Sequence, residues 1–107
     1  MAKKRVLEAV KYLEQCLREA GIRVSKTILF GSQASGKAED ESDIDVAVVS
    51  KDFRGTDIFG RADVIGQAHW KVVRKYRVPM DIVTLTPEEL ASSPAPVAQY
   101  VRAGTVV

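Results

Sequence analysis

The chain has 107 residues, 46% hydrophobic and 28% charged, with 16 Lys and Arg against 14 Asp and Glu for a net charge of +2. This length and composition suit one globular domain spanning residues 1–107, and the near-balanced charge points neither toward nor away from a nucleic-acid partner. No apolar run approaches the roughly 18–20 residues of a membrane span, and the start MAKKR leads into an amphipathic pattern rather than a signal-peptide core, so a cytoplasmic protein is expected.

Residues Lys4 to Ala20 predict a helix, with Val6, Leu7, Val10, Leu13 and Leu17 on one face and Gly21 as its stop. The single Cys16 falls within that apolar periodicity and reads as a small buried hydrophobe, since it has no second cysteine to pair with. Val24 to Phe30 predicts a strand. The segment Gly31 to Ser42, with two Gly and three Ser, breaks both periodicities and reads as a turn region. Asp43 to Val49 predicts a second strand, and its run IDVAVV is apolar on both faces beyond the acids, as a strand inside a sheet would be.

Thr56 is the expected N-cap of a long helix reaching about Tyr76, with Ile58, Ala62, Ile65, Val72 and Val73 near one face. Within it His69 reads as a packing or surface residue and Trp70 as a core or interface anchor. Lys71, Arg74, Lys75 and Arg77 make its end basic, which suits the helix dipole and could also serve an acidic partner or RNA. Pro79 forces an extended lead into a third strand, Met80 to Leu85. Thr86-Pro87-Glu88-Glu89 is a helix-start signature, and a last short helix is expected around Val97 to Arg102, ending at Gly104. The resulting order predicts an α/β (α+β) fold with a small mixed sheet packed by helices.

The chemistry gathers where the first two strands meet. Gly31-Ser32, ten residues, then Asp43-Ile44-Asp45 places a flexible turn after an apolar strand and two carboxylates on the next. Alternate side chains of a strand share a face, so Asp43 and Asp45 stand together, roughly 6–7 Å apart along the backbone. Two such acids repel unless a cation lies between them, and hard carboxylate oxygens suit Mg²⁺. Asp81 begins the third strand. If the second and third strands are neighbours, it completes a three-carboxylate cleft able to hold two Mg²⁺ ions that clamp a nucleophile and a departing pyrophosphate. Gly31 allows close backbone approach and Ser32 adds a hydroxyl, which is what a phosphate tail needs. Gly-Ser-x10-Asp-x-Asp arises by chance in roughly one chain in a thousand of this length at ordinary residue frequencies. The combination describes metal-dependent nucleotidyl transfer.

Two other motifs compete for these residues. Gly31-Ser-Gln-Ala-Ser-Gly36-Lys37 satisfies the first part of a P-loop, but Ala38 stands where Ser or Thr must meet Mg²⁺, and the acids that follow would crowd an anion. An EF-hand loop fails because Ala47 and Val48 occupy positions needing an oxygen ligand and glycine.

On Gly31-Ser32, Asp43-Ile44-Asp45 and Asp81, and on the ending Tyr100-Val101-Arg102-Ala103-Gly104, the chain resembles the minimal nucleotidyltransferases of the DNA polymerase β-like superfamily. The resemblance implies that Asp43, Asp45 and Asp81 hold the metals, that Asp81 helps deprotonate the attacking hydroxyl, and that Gly31 and Ser32 hold the triphosphate of ATP. Many members carry arginine just after Gly-Ser, where this chain has Gln33 and Ser35, which shifts the phosphate grip toward backbone amides, Mg²⁺ or Lys37. It further implies an antitoxin paired with a HEPN-domain ribonuclease toxin and transferring AMP to a toxin tyrosine, with no sequence-specific nucleic-acid contact of its own. A non-catalytic antitoxin that acts by binding, and an enzyme adenylylating a small molecule or an RNA end, are the alternatives.

Overall fold

A computed structural model describes residues 4–31 and 43–107. The elements are α1 (Lys4–Glu19), β1 (Lys26–Phe30), β2 (Ile44–Val49), a 3-10 turn (Lys51–Phe53), α2 (Ile58–Tyr76), β3 (Met80–Leu85), α3 (Pro87–Ser92), α4 (Pro96–Arg102) and β4 (Thr105–Val106). The four strands form one mixed sheet in the order β3-β2-β1-β4. β1 runs antiparallel to β2 and to β4, while β2 and β3 are parallel. A parallel pair cannot be joined by a tight turn, and the nineteen-residue α2 supplies the crossover.

The central position of β2 follows from its composition. Ile44, Val46 and Val48 face α1 and α2, where they join Val10, Leu13, Leu17, Ile65 and Val72 in the larger core. Ala47 and Val49 face the other way, against Ile28, Leu85 and Val101 of α4. A strand apolar on both sides is stable only between two covered faces, and β2 has both. Cys16 is buried in the first of these cores as a free thiol.

α1 ends one residue before the expected Ala20, followed by Gly21 at φ +90°. The N-cap of α2 is Asp57 rather than Thr56: its carboxylate accepts a hydrogen bond from the Gly60 amide at 2.9 Å, and a carboxylate at a helix N-terminus is favoured by both that bond and the dipole. Ala62 is exposed and Val73 half-buried, so the covered face of α2 centres instead on Ile65, Ala68 and Val72. The signature at Thr86 forms a complete capping box, Thr86 Oγ1 accepting from the Glu89 amide and the Glu89 carboxylate accepting from the Thr86 amide.

Two further departures concern Trp70 and β4. Of the core and interface places expected for Trp70, the structure removes the core: it is 62% exposed, as is Phe59 at 78%, eleven residues earlier on the same helix. Three helical turns separate the two, so they project from one side of α2. In β4, Thr105–Val106 pairs with Leu29 and Ile28, a strand too short to leave a periodic signal, and it forms because Gly104 lets the chain close onto β1. A β-carbon at Gly104 would stand 2.5 Å from the Leu29 carbonyl oxygen and 2.9 Å from Ile28 Cγ2.

Candidate active site

The parallel register of β2 and β3 decides the geometry of the acids. Asp45 pairs with Asp81, as Ile44 pairs with Met80 and Val46 with Ile82. Paired residues of neighbouring strands put their side chains on the same face, with the strands about 4.8 Å apart. Asp43 lies two residues before Asp45, immediately ahead of β2, and so belongs to that face as well. The condition set by the sequence, that the second and third strands be neighbours, is therefore met.

The three carboxylates differ in surroundings. Asp43 and Asp81 are exposed, while Asp45 is half-buried between them. Burial pushes the Asp45 carboxyl above its ordinary range, and the charges of Asp81 and then Asp43 push it further in the same direction. Like charges held together this way are a destabilising arrangement unless a cation joins them. Among the described residues, no three His, Cys, Asp or Glu side chains are already drawn together tightly enough to enclose a metal ion. What the acids offer a cation is their donor chemistry, hard carboxylate oxygens carried on one face, which is the kind of set that suits Mg²⁺.

Gly31 ends β1 at φ +72°, a left-handed conformation that side chains rarely adopt. Its contact is with Asp45. A β-carbon at position 31 would collide with Asp45 Oδ2 and lie 3.3 Å from Cγ, so glycine is what lets the backbone pass beside the carboxylate. The antiparallel pairing of Phe30 with Asp45 sets that approach. Of the other residues expected at the site, Ser32 and Lys37 lie outside the described residues, as do Gln33, Ser35 and Ala38.

A cavity of about 480 Å³ opens directly beside Asp45, lined by Phe30, Gly31, Asp45, Tyr100, Ala103, Gly104 and Thr105. The sequence pattern gives a role to Gly31 and Asp45, whereas Tyr100, Ala103 and Gly104 of the other wall entered only as part of the resembling chain ending, with no role at the site. Tyr100 and Thr105 reach the site only because α4 and β4 fold back onto β1, and the signal pointing that way is Gly104 just beyond the helix. A second hollow, about 620 Å³ between α2 and β3, contains none of the three aspartates. Its charged groups, Arg61 and Glu89, are already paired with each other at 3.0 Å.

Comparison with known proteins places this arrangement. None of the curated proteins matches the sequence. Among solved structures, a toxin–antitoxin with AMP-PNP is similar over 90% of this chain and 69% of its own, with a TM-score of 0.64 and 24% identity. A Sulfolobus solfataricus protein ascribed to the nucleotidyltransferases is similar over 97% of this chain and 86% of its own, at TM-score 0.59 and 20% identity. BolA1 from Arabidopsis thaliana also shares the chain path, at TM-score 0.54 and 20% identity over 81% of this chain and 96% of its own. At these identities the likeness is one of fold, and a fold hosts more than one chemistry. The sequence-family comparison is more specific, because the nucleotidyltransferase domain model matches residues 9–102 and thus takes in Gly31, Asp43, Asp45 and Asp81 together. With its mixed four-stranded sheet and these acids inside the matched span, the chain belongs to the nucleotidyltransferase domain family and has the polymerase β-like nucleotidyltransferase fold.

Proposed function

We propose that the chain is a Mg²⁺-dependent nucleotidyltransferase that uses ATP and transfers AMP to a hydroxyl of a protein partner, a tyrosine of a HEPN-type ribonuclease toxin, and that it thereby acts as an antitoxin. The single observation that carries the catalytic part is the Asp45–Asp81 pairing across parallel strands, with Asp43 on the same face. A protein that works by binding alone gains nothing from a half-buried carboxylate repelled by two others, whereas a metal-dependent transferase needs that arrangement.

In this reading Asp43 and Asp45 hold the metal ions and Asp81 completes one of the sites. Bound Mg²⁺ would supply charge stabilisation for the α-phosphate and the departing pyrophosphate. The remaining roles belong to the chain itself. Asp81 stands at the exposed start of β3, where it can accept the proton of the attacking hydroxyl. The acceptor oxygen forms its bond to the α-phosphorus as the bond to the bridging oxygen of the β-phosphate breaks, and pyrophosphate leaves. Gly31 brings the backbone beside Asp45, and Ser32 and Lys37 are proposed to hold the phosphate tail.

The partner rests on two supports. A solved toxin–antitoxin with AMP-PNP has this fold, and α2 carries Phe59 and Trp70 exposed on one side, apolar area of the kind a protein partner covers. Intact-mass measurement tests the whole reading. The partner, incubated with this chain, ATP and Mg²⁺, gains the mass of one or more adenylyl groups, and the gain disappears with Asp43→Ala/Asp45→Ala. Neutralisation of the toxin without a mass change, undiminished in that variant, would instead establish the non-catalytic antitoxin.

A further inference from the structure

We infer that the cavity between Tyr100 and Asp45 is the seat of the nucleoside half of the triphosphate, with the Tyr100 ring as the face on which the base stacks. The inference rests on the nucleotidyl-transfer reading above and extends it to a part of the substrate that the aspartates do not touch.

Three observations converge on it. The cavity of about 480 Å³ shares Gly31 and Asp45 with the phosphate and metal end of the site, so a ligand anchored there extends into it without a gap. Its outer wall is Tyr100, 71% exposed, an aromatic ring left in solvent although α4 turns Ala98, two residues before it, and Val101, the next residue, into the core. Every nucleobase offers a π-face, and an exposed aromatic ring next to a phosphate site is the ordinary platform for one. The floor is built for close approach: Gly104 has no room for a β-carbon against β1, and Ala103 adds only a methyl group. Asp81 lies across the sheet on β3, beyond β2 from this cavity, so the acceptor has the opposite side of the acids to itself.

Stacking without a complementary hydrogen-bonding edge gives affinity for nucleosides with modest preference among bases. The protein as a full chain is titrated calorimetrically with a non-hydrolysable ATP analogue and, separately, with inorganic tripolyphosphate, both with Mg²⁺. Tyr100→Ala is expected to weaken the nucleotide about 10-fold or more, in the range stacking supplies, and to leave tripolyphosphate unchanged. Tyr100→Phe is expected to bind the nucleotide within about 2–3-fold of wild type, because the ring is kept. Ala103→Phe, which fills the cavity but keeps Tyr100, is expected to weaken the nucleotide and spare tripolyphosphate.

Equal losses for nucleotide and tripolyphosphate in Tyr100→Ala would overturn the inference, as would unchanged nucleotide affinity with slowed transfer, which would make the cavity an acceptor site. In both cases nucleotidyl transfer by the aspartates would stand. A wild-type chain that binds neither ligand would remove the inference together with the reading it rests on.

Discussion

Asp45 holds an electrostatically unfavourable position, and its cost is measurable. Its folded-state carboxyl titrates above its unfolded value through burial and the charges of Asp81 and Asp43. A raised acid is destabilising in its ionised form, so the penalty is fully present above the folded-state value. It fades as pH falls through that value toward the ordinary ~3.9 of a free aspartate. Asp45→Asn is therefore expected to raise the thermal midpoint by a few degrees at pH 7, with the gain vanishing near pH 3, while transfer activity is lost at every pH. Calorimetric melts across that range check it, and a variant less stable than wild type at pH 7 would contradict the assigned repulsion. Gly31 makes the complementary case. Gly31→Ala combines a left-handed backbone, worth about 1–2 kcal/mol, with a clash at Asp45 Oδ2. Urea titration is expected to show at least that loss, and the nucleotide affinity is expected to fall with it.

The elements that carry the acids are held by polar staples at the far end of the sheet. Arg23, ahead of β1, donates through its backbone amide at 2.7 Å and its guanidinium at 2.9 Å to Asp52 in the 3-10 turn after β2. These bonds hold the Asp52 carboxyl below its ordinary range. Stability from a depressed acid is complete above its unfolded value and is lost as pH falls through its folded one. Asp52→Asn is thus expected to lower the midpoint at pH 7, with the difference from wild type shrinking as pH falls below the ordinary carboxylate range, read by circular dichroism melts across that range.

Arg61 is the stronger tie. From the first turn of α2 it donates to the carbonyls of Thr56 and Phe53 at 3.1 and 2.9 Å, and to Glu89 at 3.0 Å. Burial pushes Glu89 up, but the Thr86 amide and the Arg61 guanidinium bring it net below its ordinary range. Arg61→Met leaves several of these acceptors without a donor, and chemical denaturation is expected to show a loss of about 2–3 kcal/mol. Retention of full stability would mean that water replaces the guanidinium at each carbonyl.

Taken whole, the molecule shows which signals survive in a sequence of this kind. The apolar run of β2, the Pro-led start of β3 and the capping box at Thr86 are local patterns, and each appears where its residues place it. That Asp43, Asp45 and Asp81 share a face was legible because strand alternation is a local rule and only the β2–β3 adjacency had to be supplied by the fold. What escaped was tertiary. Asp57 outcompeted Thr56 for the α2 cap by reaching the Gly60 amide, which of the two expected places Trp70 takes was decided by the fold, and β4 pairs with β1 where Gly104 permits a close approach. Tyr100 comes beside Asp45 through that same approach, so no spacing rule could have joined them.

The central claim is that carboxylates paired across β2 and β3 run a metal-dependent transfer. Pyrophosphate released from ATP in the presence of the proposed toxin partner tests it most directly, measured with Mg²⁺, with excess chelator, and in the Asp45→Asn and Asp81→Asn variants. The account predicts release with Mg²⁺ that stops on chelation and falls at least about 100-fold in both variants, since each removes charge stabilisation of several kcal/mol. Release that persists in chelator, or that survives in both variants at the wild-type rate, would contradict it.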